Sequence, residues 1–148
     1  MKNLLLDTNI IIGLIRSTDL AQSLSVLNPN GTLMYISVAT LGELKSIATY
    51  NKWGDKKLHI LEYLLKDVVQ IIDISKILVD LYVEIDTFSQ CKNPRFTTYS
   101  HQSARNMGKN DLWIAATASF LDLTLVTTDK DFEHLNGTFL SLHSSIEN

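Results

Sequence analysis

A single cysteine, Cys91, stands in the 148 residues, which leaves no disulfide framework and no thiolate cage for a metal. The fold must then rest on a hydrophobic core, and a reducing, cytoplasmic setting is the simplest one. With 2 prolines and 6 glycines the chain shows no low-complexity tract, linker or internal repeat, so one domain over 1–148 is expected. No stretch is apolar enough to span a bilayer. The best candidate, LLLDTNIIIGLI at 4–15, is broken by Asp7 and Asn9 and followed by Arg16. Met1-Lys2 leads straight into it without a basic n-region or cleavage site. The P-loop, dinucleotide-binding and zinc-protease patterns are all missing.

Acids are also missing locally. From Thr87 to Asn110 there is no Asp or Glu, while Lys92, Arg95, Arg105 and Lys109 are present among Phe96, Tyr99 and His101. The net charge of −3 argues against a protein that coats nucleic acid non-specifically, but this segment could still supply phosphate contacts. Phe96 or Tyr99 would then stack on unpaired bases; the alternative is that these rings pack on the core.

What is present is a strand–helix alternation. The unbroken apolar run at 2–6 reads as a doubly buried strand. A helix over 10–16 follows, with Thr8 or Asn9 available as its cap. Further helices are expected over 18–27, 38–50, 56–65, 75–88 (capped by Ser75) and 111–122. Further strands fall at 32–37, 68–73, 124–128 and 138–142, with a short turn or helix at 129–134. This order predicts an α/β fold with a mostly parallel central sheet covered on both faces.

In such a sheet, ligands bind beyond the carboxyl ends of the strands. Asp7 follows the first strand, Glu43 lies early in the helix after the second, and Asp111 opens the helix containing Trp113. Asp129 follows TLVTT, with Asp131 two residues on. Each acid alone has an ordinary explanation as a helix cap or turn residue, and Thr40-x-x-Glu43 even matches a capping box. Together they would meet in one cleft, where unpaired carboxylates repel. A bound divalent cation resolves that repulsion, and an oxygen-only ligand set suits Mg²⁺ or Mn²⁺ rather than Zn²⁺.

LLLDTNIII, the isolated Glu43 in ISVATLGELKSIA, NDLWIAATA and LVTTDKDF, in that order, resemble the PIN-domain ribonucleases, and among them the VapC-type toxins of toxin–antitoxin pairs. The resemblance spans essentially the whole chain, from Leu4 to the last strand, with 89–107 as its least family-like part. It implies a PIN-like three-layer α/β/α sandwich and a metal-dependent endoribonuclease. The acidic cluster it implies is Asp7, Glu43, Asp111 and Asp129, with Asp131 as a further acid and Asn9 and Thr127 orienting the others. Its partners would be an RNA substrate, a cognate antitoxin and a second copy in a homodimer, with Ile11, Leu14 and the helix at 56–65 as candidate antitoxin surface.

The reaction expected is hydrolysis of an RNA phosphodiester by a water activated at Mg²⁺ or Mn²⁺, leaving a 5′-phosphate. A metal-free ribonuclease would instead need a histidine acid–base pair; of His59, His101, His134 and His143 only His101 lies in the basic stretch. An aspartyl-phosphate phosphatase would require Asp where Asn9 stands. The non-enzymatic alternative is a catalytically degenerate PIN-like module that only binds RNA or protein, which predicts loss of acids that this chain keeps.

Overall fold

The structure is a computed structural model that describes residues 1–143. Five strands form one sheet in the order β3-β2-β1-β4-β5, every neighbouring pair parallel. β1 is Leu4–Leu6, β2 Met34–Ser37, β3 Gln70–Ile72, β4 Thr124–Val126 and β5 Ser141–His143. The helices are α1 (Thr8–Arg16), α2 (Leu20–Leu27), α3 (Val38–Tyr50), α4 (Asp55–Tyr63), α5 (Val79–Ser89) and α6 (Lys109–Phe120).

Successive residues of a strand point to opposite faces, and the apolar pairs use both. Leu6, Ile36 and Val126 face a core built with α1, α2, α3 and α4. Leu5, Tyr35 and Leu125 face a second core built with α5 and α6. This is why the strands read as continuous apolar runs rather than alternating ones. Burying each such leucine contributes about 1.5–3 kcal/mol.

The chain first walks outward from β1 to β2 to β3, then returns across the sheet to β4 and continues to β5. Parallel crossovers are right-handed, so reversing the direction of travel puts the later helices on the other face. The reversal falls between β1 and β4. There the flanking loops part in opposite directions and leave a crevice at the carboxyl end of the sheet.

The α/β/α architecture and the parallel sheet agree with expectation; several local details do not. Asp7, not Thr8 or Asn9, caps α1: its Oδ1 accepts the Thr8 amide at 2.8 Å. The capping box at Thr40 does not form, because Ser37 caps α3 and Thr40 lies buried within the helix. Ser75 makes no capping side-chain bond to the short 3₁₀ turn Lys76–Leu78 that precedes α5. α4 runs into a wide turn over Leu64–Val68, closed by the Val69 amide on the Leu64 carbonyl at 3.0 Å. β5 starts later than 138 because Gly137, at φ +81°, turns the chain and bonds Leu140 at 2.8 Å.

The segment after α5 is fastened to the core rather than splayed into solvent. Phe88 is buried and is the hub of an aromatic group, with Phe96, Tyr99, His101 and Phe139 at 4.7, 5.2, 5.2 and 5.2 Å. The Tyr99 hydroxyl donates to the Asn93 carbonyl at 3.0 Å and accepts its amide at 3.1 Å. Base stacking by Phe96 or Tyr99 is therefore replaced by core packing. Among the described residues, no helix is long and apolar enough to cross a membrane.

Candidate active site

Asp7 is the first residue after β1 and is 5% exposed. Its amide continues the sheet by donating to the Val126 carbonyl at 3.0 Å, so its position is fixed by strand pairing. With Oδ1 held by Thr8, Oδ2 accepts the Thr127 hydroxyl at 2.7 Å. The same hydroxyl accepts the Asp129 amide at 3.0 Å, and Asp129 Oδ1 accepts the Asp131 amide at 2.9 Å. Thr127 thus ties the end of β1 to the loop after β4, across the crevice.

Asp111 enters from the first turn of α6. One carboxylate oxygen from each of Asp111, Asp129 and Asp131 lies within 4.8 Å of the other two. Glu43 approaches from the second turn of α3, where the side chains of Asn110 and Thr8 favour its charged form. The Thr8 hydroxyl also lies 3.3 Å from that of Thr40, which fixes α3 against α1.

The electrostatics are those of a site short of positive charge. Burial pushes the Asp7 carboxyl up, against its bonds to Thr127 and Thr8, and the charge of Asp129 adds to the rise. Glu43 is pushed up by burial and then by Asp7. Asp111 is pushed up to about 7, by burial first and then by Asp7, Asp129, Glu43 and Asp131. Among the described residues, the ion pairs are Lys2 with Asp122 and Arg95 with Glu84, so none of these five acids has a basic partner. Oxygen-only donors converging without a counter-charge fit a hard divalent cation such as Mg²⁺ or Mn²⁺.

The structure therefore brings Asp111, Asp129 and Asp131 into one group, links Asp7 to it through Thr127, and sets Glu43 beside Asp111 electrostatically. Asn9 is exposed and lines the groove between α1 and α2. Lys109 begins α6 and lines the hollow shared by Glu43, Gly108, Asn110 and Asp111. The other cations of the basic stretch are placed differently. Arg95 pairs with Glu84 at 3.1 Å, Arg105 lies close enough to His134 to act on its charge, and Lys92 is exposed.

His101 and His134 are not placed for acid–base chemistry in the cleft, because both are packed into the core. His101 is buried with Nε2 against the carbonyls of Phe88 and Ser89 at 3.1 and 3.2 Å. His134 is buried beside it, Nε2 2.7 Å from Ser89 Oγ, and is pushed down to about 4 by burial, then by His101 and Arg105. Both pin the C-terminal end of α5. Ile11 is fully buried and cannot serve as docking surface, whereas Leu14 lines the α1–α2 groove.

Two residues at the site were not legible beforehand. Thr8, placed in the sequence only as a cap, donates its hydroxyl to that of Thr40 and lies near enough to Glu43 to favour its charged form. Asn110, at the start of α6, lines the same hollow as Glu43 and favours its charged form; its position directly before Asp111 in a first helical turn was the available signal.

A family model described as the PIN domain matches residues 4–137. Comparison with curated proteins finds no match. Among solved structures, VapBC2 from Rickettsia felis, bound to a DNA fragment from their promoter, is 26% identical. That match covers 95% of this chain and 97% of that one, with a TM-score of 0.73. VapBC-1 from nontypeable Haemophilus influenzae is 27% identical over 95% and 96%, with a TM-score of 0.69. VapC20 from Mycobacterium tuberculosis, a sarcin–ricin loop cleaving toxin, is 14% identical over 88% and 92%, with a TM-score of 0.60, and shows likeness of fold alone.

Proposed function

The chain belongs to the PIN domain family, and on that premise we propose that it is a metal-dependent endoribonuclease of VapC type, the toxin of a toxin–antitoxin pair acting in the cytoplasm. The observation that carries this reading is the group of unpaired acids at the sheet's switch point, with Asp111 raised to about 7. A structural role for those acids would leave their repulsion unrelieved, whereas catalysis needs it for holding a cation.

Asp111, Asp129 and Asp131 would hold Mg²⁺ or Mn²⁺, with Asp7 and Glu43 completing the acidic set. When bound, the ion supplies an acidified water aligned for in-line attack and offsets charge on the phosphoryl oxygens. The chain's own contribution is placement. β1 fixes Asp7, the Thr127 hydroxyl orients Asp7 and the Asp129 loop together, and Asn110 and Thr8 favour the charged form of Glu43. Lys109 at the rim draws the polyanion towards an otherwise acidic cleft, with Lys92, Arg95 and Arg105 as outlying phosphate contacts. Water would attack phosphorus and the 3′-oxygen would leave, so the products would carry a 5′-phosphate and a 3′-hydroxyl, with no part for the 2′-hydroxyl.

An antitoxin partner is supported by the VapBC neighbours. We assign it the apolar groove between α1 and α2, lined by Ile10, Gly13, Leu14, Val26 and Leu27, which opens at Asn9 and Thr128 beside the acids. A peptide lying there could place a basic side chain among the carboxylates in competition with the cation. A homodimer remains part of the proposal. The test is induced expression of wild type and Asp7→Asn in bacteria, with growth followed and RNA 5′-phosphate ends mapped. Growth arrest with discrete new ends in the wild type alone is expected; equal growth and identical ends in both would refute the reading.

A further inference from the structure

We infer that the trough along α3 from Glu43 to Tyr50 is a nucleobase subsite, in which Tyr50 stacks on a base near the scissile phosphate. This rests on the nuclease reading above and adds to it where the RNA lies. Glu43, Ser46, Ile47 and Tyr50 follow at i, i+3, i+4 and i+7, so they share one face of the helix. Two hollows adjoin there. One is lined by Glu43, Gly108, Lys109, Asn110 and Asp111; the other includes Gly42, Glu43, Ser46, Ile47, Tyr50 and Asn110. They share Glu43 and Asn110, so the hollow that includes Tyr50 adjoins the one that includes Asp111.

The trough is kept open by small residues. At Gly42 a Cβ would meet nothing within 4 Å, so the surface there faces empty space, and Ser46 one turn on adds little bulk. Tyr50 closes the far end, 80% exposed at the last position of α3. A lone exposed tyrosine is ordinary on a protein surface; its place at the end of a trough that begins at the acids is what gives it a role. The helical rise from Glu43 to Tyr50 is about 10 Å, which matches roughly three stacking steps of about 3.4 Å each. Lys109 meets a phosphate at the acidic end and the ring meets a base at the other, the pairing of cation and aromatic that single-stranded nucleic acid takes. The rings of Phe96 and Tyr99 in the basic stretch pack around Phe88, whereas Tyr50 lines a hollow together with Glu43 and Asn110. The occupant is single-stranded RNA and not a peptide, because the apolar surface suited to a peptide lies in the other groove, between α1 and α2.

The experiment uses the whole protein with Mn²⁺ and a short single-stranded RNA carrying a mapped cleavage site. Tyr50→Ala should raise KM by roughly 5- to 100-fold, the range set by losing one base–aromatic stack, with kcat little changed. Tyr50→Phe should keep the wild-type KM. Replacing one base within about three nucleotides of the cut by an abasic site should weaken binding to the wild type and have no further effect on Tyr50→Ala. The melting temperature should not move, since the side chain is exposed. If Tyr50→Ala cuts with unchanged KM and unchanged sensitivity to abasic sites, or alters only oligomeric state, this inference is overturned and the nuclease reading survives. A wild type that neither binds nor cuts RNA removes both.

Discussion

Substituting Asp111→Asn should stabilise the metal-free protein, and the size of the effect follows from its surroundings. Its carboxyl is raised from 3.8 to about 7 by burial and by Asp7, Asp129, Glu43 and Asp131. Keeping it charged above pH 7 costs the folded state about 4 kcal/mol at about 1.4 kcal/mol per pH unit. Solvent reaches part of the group, so about half of that, ~2 kcal/mol, is the more realistic figure. Asparagine also gives up the carboxylate's interaction with the N-terminus of α6, about 0.5 kcal/mol. The net gain of ~1.5 kcal/mol corresponds to a rise of about 3–6 °C in Tm for a chain of this size. Because the folded state binds this proton more tightly than the unfolded one, wild-type stability falls as pH rises from 3.8 towards 7 and is level above it. The variant's advantage should therefore be complete at pH 8 and shrink to roughly a third at pH 5. Thermal melts in EDTA at both values check this. An unchanged or lower Tm at pH 8, or an equal gain at both, would refute a cluster of mutually repelling acids.

The same titration predicts that the affinity for Mg²⁺ climbs with pH and levels near 7, as Asp111 loses its proton to accept the ion; an affinity already level at pH 5 would contradict this. Thr127→Val should strip one hydrogen bond from Asp7 and one from the Asp129 amide, costing about 1–3 kcal/mol and weakening Mn²⁺ binding, while Thr127→Ser keeps both. Chemical denaturation and metal titration of the two variants separate the outcomes. Lys109→Glu should weaken RNA binding and flatten its salt dependence more than Arg95→Glu, since Arg95 already faces Glu84. Binding isotherms at several salt concentrations decide between them.

The sheet was legible because its central strands are buried on both faces, so Leu4–Leu6 and Thr124–Val126 show as apolar runs between helices. The positions of the acids were legible for a related reason: strand ends and helix starts are marked in the sequence, and a charge at such a junction stands out against its neighbours. What lay beyond reach depended on contacts between distant segments. That Phe96, Tyr99 and His101 collapse onto Phe88 could not be told from a basic, aromatic string, which serves equally as an RNA-binding loop. Similarly, capping and membership of the acidic cluster stand as alternatives for Asp7 in the sequence, whereas its two oxygens serve separate partners, the Thr8 amide and the Thr127 hydroxyl. The strand ends were misplaced at β5 because a glycine turn, not hydrophobicity, decides where pairing begins.

The central claim is that these carboxylates hold a divalent cation which makes the protein a ribonuclease. Its most direct test is cleavage of RNA by the purified protein with Mg²⁺ or Mn²⁺, alongside Asp7→Asn and an EDTA control, with the chemistry of both new ends determined. The account predicts cuts that require the metal and Asp7, bearing 5′-phosphates and 3′-hydroxyls. Cleavage that persists in EDTA or in Asp7→Asn, or that leaves 2′,3′-cyclic phosphates, would contradict it.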